Sequence, residues 1–292
     1  MDLVDLRFFD AVAREGGINR AALVLNTVQS NVTARIAALE TKLGVQLFER
    51  GARGVSLTAA GKRLLPYARK MFALAQEASR VARDDGTPCG PLTIGALETT
   101  AALRLPPLLG PFVARHPEVD LTIRSGITVE LVPMVLDDRL DGALVAGPVR
   151  HAELIEQPIF CEELALLAPP GTDSIEALLE HADRLRLLVL RSGCSYRQRL
   201  EAVFARRGLA GLKTLEFGTL EAIIGCIGAG LGVTLLPRAM VGTVWPENRV
   251  AVLALPKEEA EVRTVFIRRG GRAVSSALRA FLTHIGGDTT DI

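Results

Sequence analysis

The chain has 292 residues, of which 49% are hydrophobic and 23% are charged, so it is long enough for two or three globular domains with full cores. No apolar run approaches the roughly 18 residues of a membrane helix, and acidic Asp2 and Asp5 argue against a signal peptide. The four cysteines lack CxxC spacing, which excludes a disulfide scaffold and predicts reduced thiols in a cytoplasmic protein.

The charge is uneven along the chain, although the net charge is only +1. Residues 1–85 carry 13 Lys and Arg against 9 Asp and Glu, and the remainder is slightly acidic. A basic N-terminal block is typical of a phosphate-binding module attached to a different kind of domain. A solvated basic face would give the same count, so charge alone leaves both interpretations open.

Three helices are predicted at the N-terminus. Leu3, Leu6, Phe9 and Ala13 share one face of a first helix that ends at Gly16, and an alanine-rich second helix covers about 18–25. Asn26 and Thr27 then predict a turn, with Thr27 as the cap of a third helix. The residues predicted to face the core from that helix are Val28, Val32, Ile36, Leu39 and Leu43.

The third helix carries small polar side chains on its other side. Gln29, Ser30 and Thr33 are predicted to face outward near its N-terminus, where a helix in a major groove presents its reading residues. Arg35 on the flank suits a phosphate contact. Thr27 and Asn31 complete this candidate DNA-binding surface.

A two-stranded wing is predicted over 47–57, because the segment alternates around glycines. Arg50 at its base and Arg53 at its tip suit a minor groove or phosphates. A three-helix bundle without a DNA role is the alternative, since the apolar positions are also ordinary core. The polar reading face beside the two arginines favours DNA.

These residues resemble the winged helix-turn-helix signature of LysR-type transcriptional regulators. The resemblance implies a bacterial-type regulator that binds double-stranded promoter DNA as a homodimer or homotetramer, responds to a small-molecule effector and contacts RNA polymerase. Ala34 departs from the family, which often has a basic residue there; the phosphate contact then passes to Arg35 or is absent. The matching residues are Ala21, Ala22, Gln29, Ser30, Ile36, Leu39, Glu40, Leu43, Gly44, Leu47, Phe48, Glu49, Arg50, Leu57, Thr58 and Gly61.

A long helix is predicted from a Thr58 cap to about Arg83, with a kink where Pro66 removes a backbone bond. One stripe of this helix is formed by Leu64, Ala68, Phe72, Ala75, Ala78 and Ala82. The resemblance implies that this linker helix forms a dimer, whereas packing within its own domain is the alternative. The predicted organisation is a DNA-binding domain over 1–57, a linker helix over 58–85, a hinge over 86–90 and an effector-binding domain over 91–292.

Strands alternate with helices from Pro91 onward, which predicts an α/β body. The resemblance implies a two-lobed effector domain of the type 2 periplasmic-binding-protein fold. Lobe I is predicted over 91–160 and 266–292, and lobe II over 161–265. The chain is expected to cross between lobes at about 159–163 and to return near 262–267, so that the last helix rejoins lobe I.

Four loops before helix N-termini are predicted to line a cleft between the lobes, where open N–H groups and hydroxyls favour a small carboxylate. Simple helix capping is the alternative for each Ser or Thr. The candidate effector-binding residues are Glu98, Thr99, Thr100, Gly126, Ile127, Thr128, Ser192, Cys194, Ser195 and Thr219.

Cys194 raises a second hypothesis. Its position near Arg191, Arg197 and a helix N-terminus favours a reactive thiolate, which would make the protein a redox-sensing regulator with Cys161 or Cys226 as partner. A small residue lining the ligand site is the alternative. A cytoplasmic solute-binding protein without a DNA role is a third interpretation. No metal-ligand spacing, cofactor motif or catalytic constellation is present, so we expect neither an enzyme nor a cofactor.

Overall fold

The computed structural model of the protein describes residues 1–51, 54–190, 193 and 195–287. The chain forms two compact units, Met1–Asp85 and Gly86–Ile292, here called the N-terminal unit and the C-terminal unit. Each unit has its own hydrophobic core. No helix in the described ranges is long and apolar enough to cross a membrane.

The N-terminal unit is a winged helix-turn-helix followed by a long helix. Asp2 and Asp5 form a capping box that starts the first helix, and Gly16 ends it in the left-handed conformation that glycine adopts at least cost. The elements in chain order are α1 (Leu3–Glu15), α2 (Ile18–Val24), α3 (Gln29–Leu43), β1 (Phe48–Gly51), β2 (Gly54–Leu57) and α4 (Ala59–Arg83).

The predicted start of α3 is wrong by one residue. Val28, and not Thr27, occupies the capping position, and it makes no side-chain capping bond. The Thr27 hydroxyl instead accepts a hydrogen bond of 2.9 Å from Asn31 Nδ2. Because Val28 lies outside the helix, it leaves the predicted core face and is 65% exposed. Leu43, in the last turn, is also exposed, whereas Val32, Ile36 and Leu39 are buried as predicted.

Helix α4 begins as predicted, because Thr58 Oγ1 accepts a hydrogen bond of 3.1 Å from the backbone N–H of Gly61. The helix continues through Pro66 to Arg83. Leu64, Ala68 and Phe72 pack into the core of the N-terminal unit beside α1. The first half of the predicted stripe therefore packs within its own unit and is not a dimer face.

The C-terminal unit alternates strands with helices. The elements in chain order are β3 (Gly90–Leu97), α5 (Glu98–Leu103), α6 (Leu105–Arg115), β4 (Val119–Gly126), α7 (Thr128–Leu136), β5 (Gly142–Ala146), β6 (Leu154–Ala168), α8 (Ile175–Leu179), β7 (Arg186–Val189), α9 (Ser195–Ala205), β8 (Lys213–Glu216), α10 (Leu220–Gly228), β9 (Thr234–Pro237), α11 (Met240–Thr243), a 3-10 turn (Glu247–Arg249), β10 (Ala251–Ala254), α12 (Lys257–Ala260), β11 (Glu261–Arg269) and α13 (Ser276–Gly287).

The helical segment between β3 and β4 is divided into α5 and α6 at Arg104. Pro106 and Pro107 follow directly, in the first turn of α6. Pro106 and Pro107 lack the N–H groups that would bond back to the carbonyls of α5, so the hydrogen-bond ladder of α5 does not continue into α6. The break therefore has a local cause, and it leaves α5 as a short separate helix after β3.

Two long antiparallel strands join the lobes. β6 and β11 pair from Leu154 opposite Arg269 to Glu163 opposite Glu261. The near half of the sheet has the order β6-β11-β5-β3-β4, with β3 parallel to both β4 and β5. The far half of β6 pairs with β9 and β10, and β7 lies parallel to β8. The chain thus passes between the lobes along β6 and returns along β11.

Each lobe has a core of its own. Phe281 of α13 packs with Phe112 and Phe266, so the last helix belongs to the first lobe. The second lobe buries α9, α10 and the strands beside them, and Leu103 and Ile127 from the first lobe join that core. The architecture is a two-lobed α/β unit in which residues of one lobe enter the apolar core of the other.

Candidate DNA-binding surface and effector cleft

The first turn of α3 presents an open polar surface. Gln29, Ser30 and Asn31 are exposed. The backbone N–H groups of Asn31 and Val32 bond to the carbonyl of Val28, whereas those of Gln29 and Ser30 meet no acceptor within the described ranges. Open N–H groups at a helix N-terminus suit an anion such as a DNA phosphate.

Two predicted reading residues are engaged locally. The Thr33 hydroxyl donates to the carbonyl of Gln29 over 3.0 Å, and Thr27 accepts from Asn31 as described above. These bonds hold the hydroxyl of Thr33 and the amide of Asn31 against the helix. Gln29 and Ser30 are therefore the residues whose polar side chains the structure leaves most open.

Arg35 is held by the first helix. Its Nη1 donates to Asp5 Oδ1 over 3.2 Å, and its guanidinium lies 5.2 Å from the ring centroid of Phe8. Lys42 Nζ donates to Asp5 Oδ2, also over 3.2 Å. The buried Asp5 carboxylate thus joins α1 to two turns of α3, and this cluster fixes the orientation of the candidate reading helix.

Hydrogen bonds within the Asp5 cluster shift the pKa values of Asp5 and Lys42. Burial opposes ionisation of Asp5, but hydrogen bonds from Lys42 and from the backbone N–H of Asp2 outweigh it and lower the pKa of the Asp5 carboxyl below its ordinary value. The hydrogen bond to Asp5 and its charge raise the pKa of Lys42. The sequence did not reveal this cluster, although a carboxylate within the apolar face of α1 was its visible sign.

The wing is anchored to both neighbouring helices. Glu40 Oε1 accepts from the backbone N–H groups of Leu47 and Phe48, over 2.7 and 3.1 Å. The Phe48 ring lies 5.3 Å from that of Phe9. Arg50 lies opposite Val55 in the wing ladder, and the predicted tip residue Arg53 falls outside the described ranges.

The four loops predicted to line a cleft lie in two pairs, one pair in each lobe. Leu97 and Gly126 are opposite each other where β3 and β4 end, so residues 98–100, which begin α5 directly after β3, lie beside residues 126–128. Val189 and Glu216 are likewise opposite where β7 and β8 end, so Leu190 and the residues 217–219 lie at the same edge of the second lobe. Both pairs stand at carboxyl ends of parallel strands, where α/β sheets usually bind ligands.

A buried hydrogen bond joins the two pairs of loops. Thr99 Oγ1 and the Tyr196 hydroxyl lie 3.3 Å apart, and both residues are buried. Gly193 packs so closely against α7 that a Cβ atom there would lie 2.7 Å from a methyl group of Val129. The lobes are therefore in direct contact at the predicted cleft. Tyr196 was missed as a site residue because only the fold brings it to Thr99.

Several candidate effector residues already have structural partners. Thr128 Oγ1 accepts from the backbone N–H of Ala146, and Thr219 Oγ1 caps α10 by accepting from that of Ala222, each over 3.3 Å. Glu98 and Thr100 lie in α5, Thr100 buried, and Ser195 begins α9. Gly126 and Ile127 are both buried. Ser192 and Cys194 fall outside the described ranges.

An ion pair that the sequence did not indicate supports the crossover strand. Arg104 donates to both oxygens of Glu162, with Nε to Oε1 at 2.8 Å and Nη2 to Oε2 at 3.0 Å. The guanidinium lies 5.5 Å from the ring centroid of Phe160. Because Arg104 separates α5 from α6, this pair ties the helix that carries Thr99 to the strand between the lobes.

The described cysteines offer little support for thiol chemistry. Desolvation raises the pKa of the Cys161 thiol, and the charge and hydrogen bond of Glu261 raise it further. Cys161 and Cys89 are exposed, Cys226 is half-buried, and all three are free thiols. Among the residues that the structure describes, no group of three or more His, Cys, Asp or Glu side chains could hold a metal ion.

A winged helix-turn-helix joined to a two-lobed α/β unit defines a bacterial transcriptional regulator with an effector domain. Residues 3–62 match the family described as "Bacterial regulatory helix-turn-helix protein, lysR family", and residues 85–288 match "LysR substrate binding domain". The chain belongs to the LysR family. It is a LysR-type transcriptional regulator and not an enzyme.

Relatives and solved structures agree with this family. The chain is 40% identical to the HTH-type transcriptional regulator GltR of Bacillus subtilis, over 98% of this chain and 96% of GltR. It is 38% identical to CzcR of Bacillus anthracis, over 98% and 97% of the two chains. A full-length OxyR variant from Pseudomonas aeruginosa has a TM-score of 0.71 at 26% identity, covering 98% and 94%. CbnR complexed with its target DNA has a TM-score of 0.69 at 24% identity, covering 98% and 99%, which shows the same fold.

Proposed function

We propose that this regulator binds double-stranded promoter DNA as a dimer or tetramer, and that a small anionic effector between the lobes controls this binding. The observation that carries the proposal is the open first turn of α3 beside an anchored wing, where polar side chains are exposed and the N–H groups of Gln29 and Ser30 meet no acceptor in the part of the chain that the structure describes. This is the surface that a helix needs in order to lie in a major groove.

The contacts divide into reading and positioning. Gln29 reads a base edge, because its amide makes a bidentate contact to adenine, and Ser30 donates or accepts beside it. Thr27, Asn31 and Thr33 complete the rim of that surface. Arg50 and Arg53 of the wing bind phosphate or a minor groove, and Arg35 adds charge that Asp5 partly compensates.

Dimerisation is supported by a stripe of α4 that shares only Ala78 with the predicted one. Tyr67, Met71, Leu74 and Val81 are large apolar side chains, all exposed, and Ala78 between them is exposed as well. Their spacing of four, three, four and three residues is the heptad pattern of paired helices. A second copy of α4 would cover this stripe, while Leu64, Ala68 and Phe72 remain in the core of the N-terminal unit.

The effector site is proposed at the four loops of the C-terminal unit. A carboxylate is the proposed occupant because the hydroxyls of Thr99 and Tyr196, which can donate to an anion, lie 3.3 Å apart where the two lobes meet. A ligand in this position replaces the Thr99–Tyr196 bond and shifts the lobes. Control of DNA binding, and contact with RNA polymerase, follow from that shift.

The redox alternative rests on Cys194 with Cys226 as its partner, because the raised pKa of Cys161 disfavours the Cys161 thiolate in that role. A Cys194→Ser variant separates the two hypotheses. If a small carboxylate is the signal, the variant keeps its response to that ligand and stays indifferent to reducing agents. Loss of a peroxide response in the variant would support the thiol mechanism instead.

The DNA-binding proposal is tested by fluorescence anisotropy with the upstream region of the protein's own gene. Affinity should fall steeply as salt rises, since phosphate contacts release counterions. Gln29→Ala should change sequence preference, whereas Arg53→Ala should weaken all sequences alike and reduce the salt slope by about 1. Weak, sequence-indifferent binding at physiological salt by the unaltered protein contradicts the proposal.

A further inference from the structure

Val28 occupies a position at which its chemistry is unfavourable. It precedes the first residue of α3, where Ser, Thr, Asp or Asn would accept a hydrogen bond from the open end of the helix. Valine offers no acceptor, and no side-chain capping bond is present. Thr27 does not replace it, because the Thr27 hydroxyl accepts from the Asn31 side chain. This end of the helix is therefore left uncapped.

Packing does not explain the valine either. The side chain is 65% exposed and is not part of the core formed by Val32, Ile36 and Leu39. Valine at this position therefore neither caps the helix nor buries its side chain in the folded chain. Local rules that fail in this way are expected at functional sites, where a partner supplies the missing contact.

The neighbours of Val28 indicate what that partner is. Gln29 and Ser30 follow it directly, both exposed, on the end of the helix that faces DNA in the proposed function. A major groove contains one prominent apolar group, the C5-methyl of thymine, and apolar side chains contact it. We propose that Val28 packs against a thymine methyl group and so specifies thymine beside the base that Gln29 reads.

This inference rests on the proposed function, and its probe is a duplex selected by the purified full-length protein from a random-sequence pool. Each thymine of that duplex is replaced in turn by deoxyuridine, which lacks only the methyl group. At one thymine in each half-site, affinity should fall about fourfold, which is about 0.8 kcal/mol for one buried methyl group at 1.4 kcal/mol per tenfold.

Two variants locate the contact. Val28→Ala removes the methyl groups without adding a cap, so it should bind the thymine and deoxyuridine duplexes equally well at that position. Val45→Ala is the matched control, because Val45 is also an exposed valine and follows the opposite end of α3. It should keep the fourfold difference.

Val28→Ser should change the stability of the protein and its affinity for DNA in opposite directions. The serine hydroxyl should cap α3, raising the melting temperature of the N-terminal unit, while affinity for the selected duplex falls. Equal deoxyuridine penalties in Val28→Ala and the unaltered protein, or tighter binding by Val28→Ser, overturn the thymine contact alone. Failure to select any duplex overturns the proposed function and this inference with it.

Discussion

The burial of the Arg104–Glu162 pair predicts how much stability the Glu162→Gln variant loses. The Glu162 side chain is 4% exposed and that of Arg104 22% exposed, and two short hydrogen bonds join them. Removing one partner of a buried ion pair costs about 3–5 kcal/mol, because the other charge stays buried without compensation. Glutamine keeps one acceptor and Arg104 retains some solvent, so we expect a loss of about 2–4 kcal/mol in the C-terminal unit.

The next residue supplies the matched control. Glu163 pairs with Arg238 over 3.4 Å, but the two side chains are 60% and 58% exposed. An exposed pair of this kind contributes about 0–1 kcal/mol. Glu163→Gln makes the same chemical change one residue along the same strand, so a difference between the variants measures burial and geometry and not the loss of a negative charge.

The assay is urea unfolding followed by fluorescence. Trp245 is the single tryptophan of the chain and is buried in the second lobe, so its emission reports on the C-terminal unit alone. With a slope of about 3 kcal/mol per molar urea, Glu162→Gln should lower the midpoint by about 1 M. Glu163→Gln should leave it nearly unchanged. Equal midpoints for the two variants would refute the stabilising role assigned to the buried pair.

Three further predictions concern Asp5, the exposed stripe of α4 and Tyr196. The pKa of Asp5 is lower in the folded protein than in the unfolded chain, so ionised Asp5 stabilises the fold fully above the unfolded pKa of about 3.9, and this stabilisation is lost as the pH falls through the folded pKa. Asp5→Asn should remove this acid dependence of the melting temperature measured by circular dichroism. An unchanged pH profile in the variant would contradict the assignment. Leu74→Asp should lower the mass measured by analytical ultracentrifugation, while Val45→Asp, an equally apolar exposed site, should not. Tyr196→Phe should speed hydrogen exchange around Thr99, since the bond between the lobes, about 0.5–1.5 kcal/mol, is lost; unchanged exchange would mean that this bond does not hold the lobes together.

Local periodicity predicted most elements of this fold. Helix α1 and the glycine-rich wing appear in the structure close to their expected positions, although Leu3 of the predicted apolar face is exposed. Each of these elements has a local cause: a cap, a glycine or an apolar repeat. The Thr58 cap of α4 was predicted for the same reason, because a hydroxyl group just before a helix can accept a hydrogen bond from an open backbone N–H of its first turn.

The proposed dimer stripe of α4 shows a limit of prediction from helical periodicity. Both faces of α4 carry apolar residues at helical spacing, and the sequence does not say which face meets its own unit. Leu64, Ala68 and Phe72 pack on α1, which leaves the stripe that begins one position before Ala68, at Tyr67, exposed. Only the tertiary packing of α1 against α4 distinguishes the two.

The length of the crossover strand β6 was underestimated for a related reason. β6 has fifteen residues, while the expected crossing covered only five. Its first half is partly exposed and its second half, Leu164–Ala168, is wholly buried, so the strand changes its hydrophobic pattern where it passes from one lobe to the other. A single sequence pattern does not describe a strand that belongs to two environments. Thr99 and Tyr196, 97 residues apart, likewise meet only through the fold.

The buried polar contacts differ in strength in a way that constrains motion of the lobes. Arg104 and Glu162 form a charge-assisted, bidentate pair at the crossover strand, whereas Thr99 and Tyr196 share one neutral hydrogen bond at the cleft. An effector with a micromolar dissociation constant gains about 8 kcal/mol, far more than the neutral bond contributes. If the proposed effector binds between the lobes, we expect the Thr99–Tyr196 bond to break and the Arg104–Glu162 pair to stay intact.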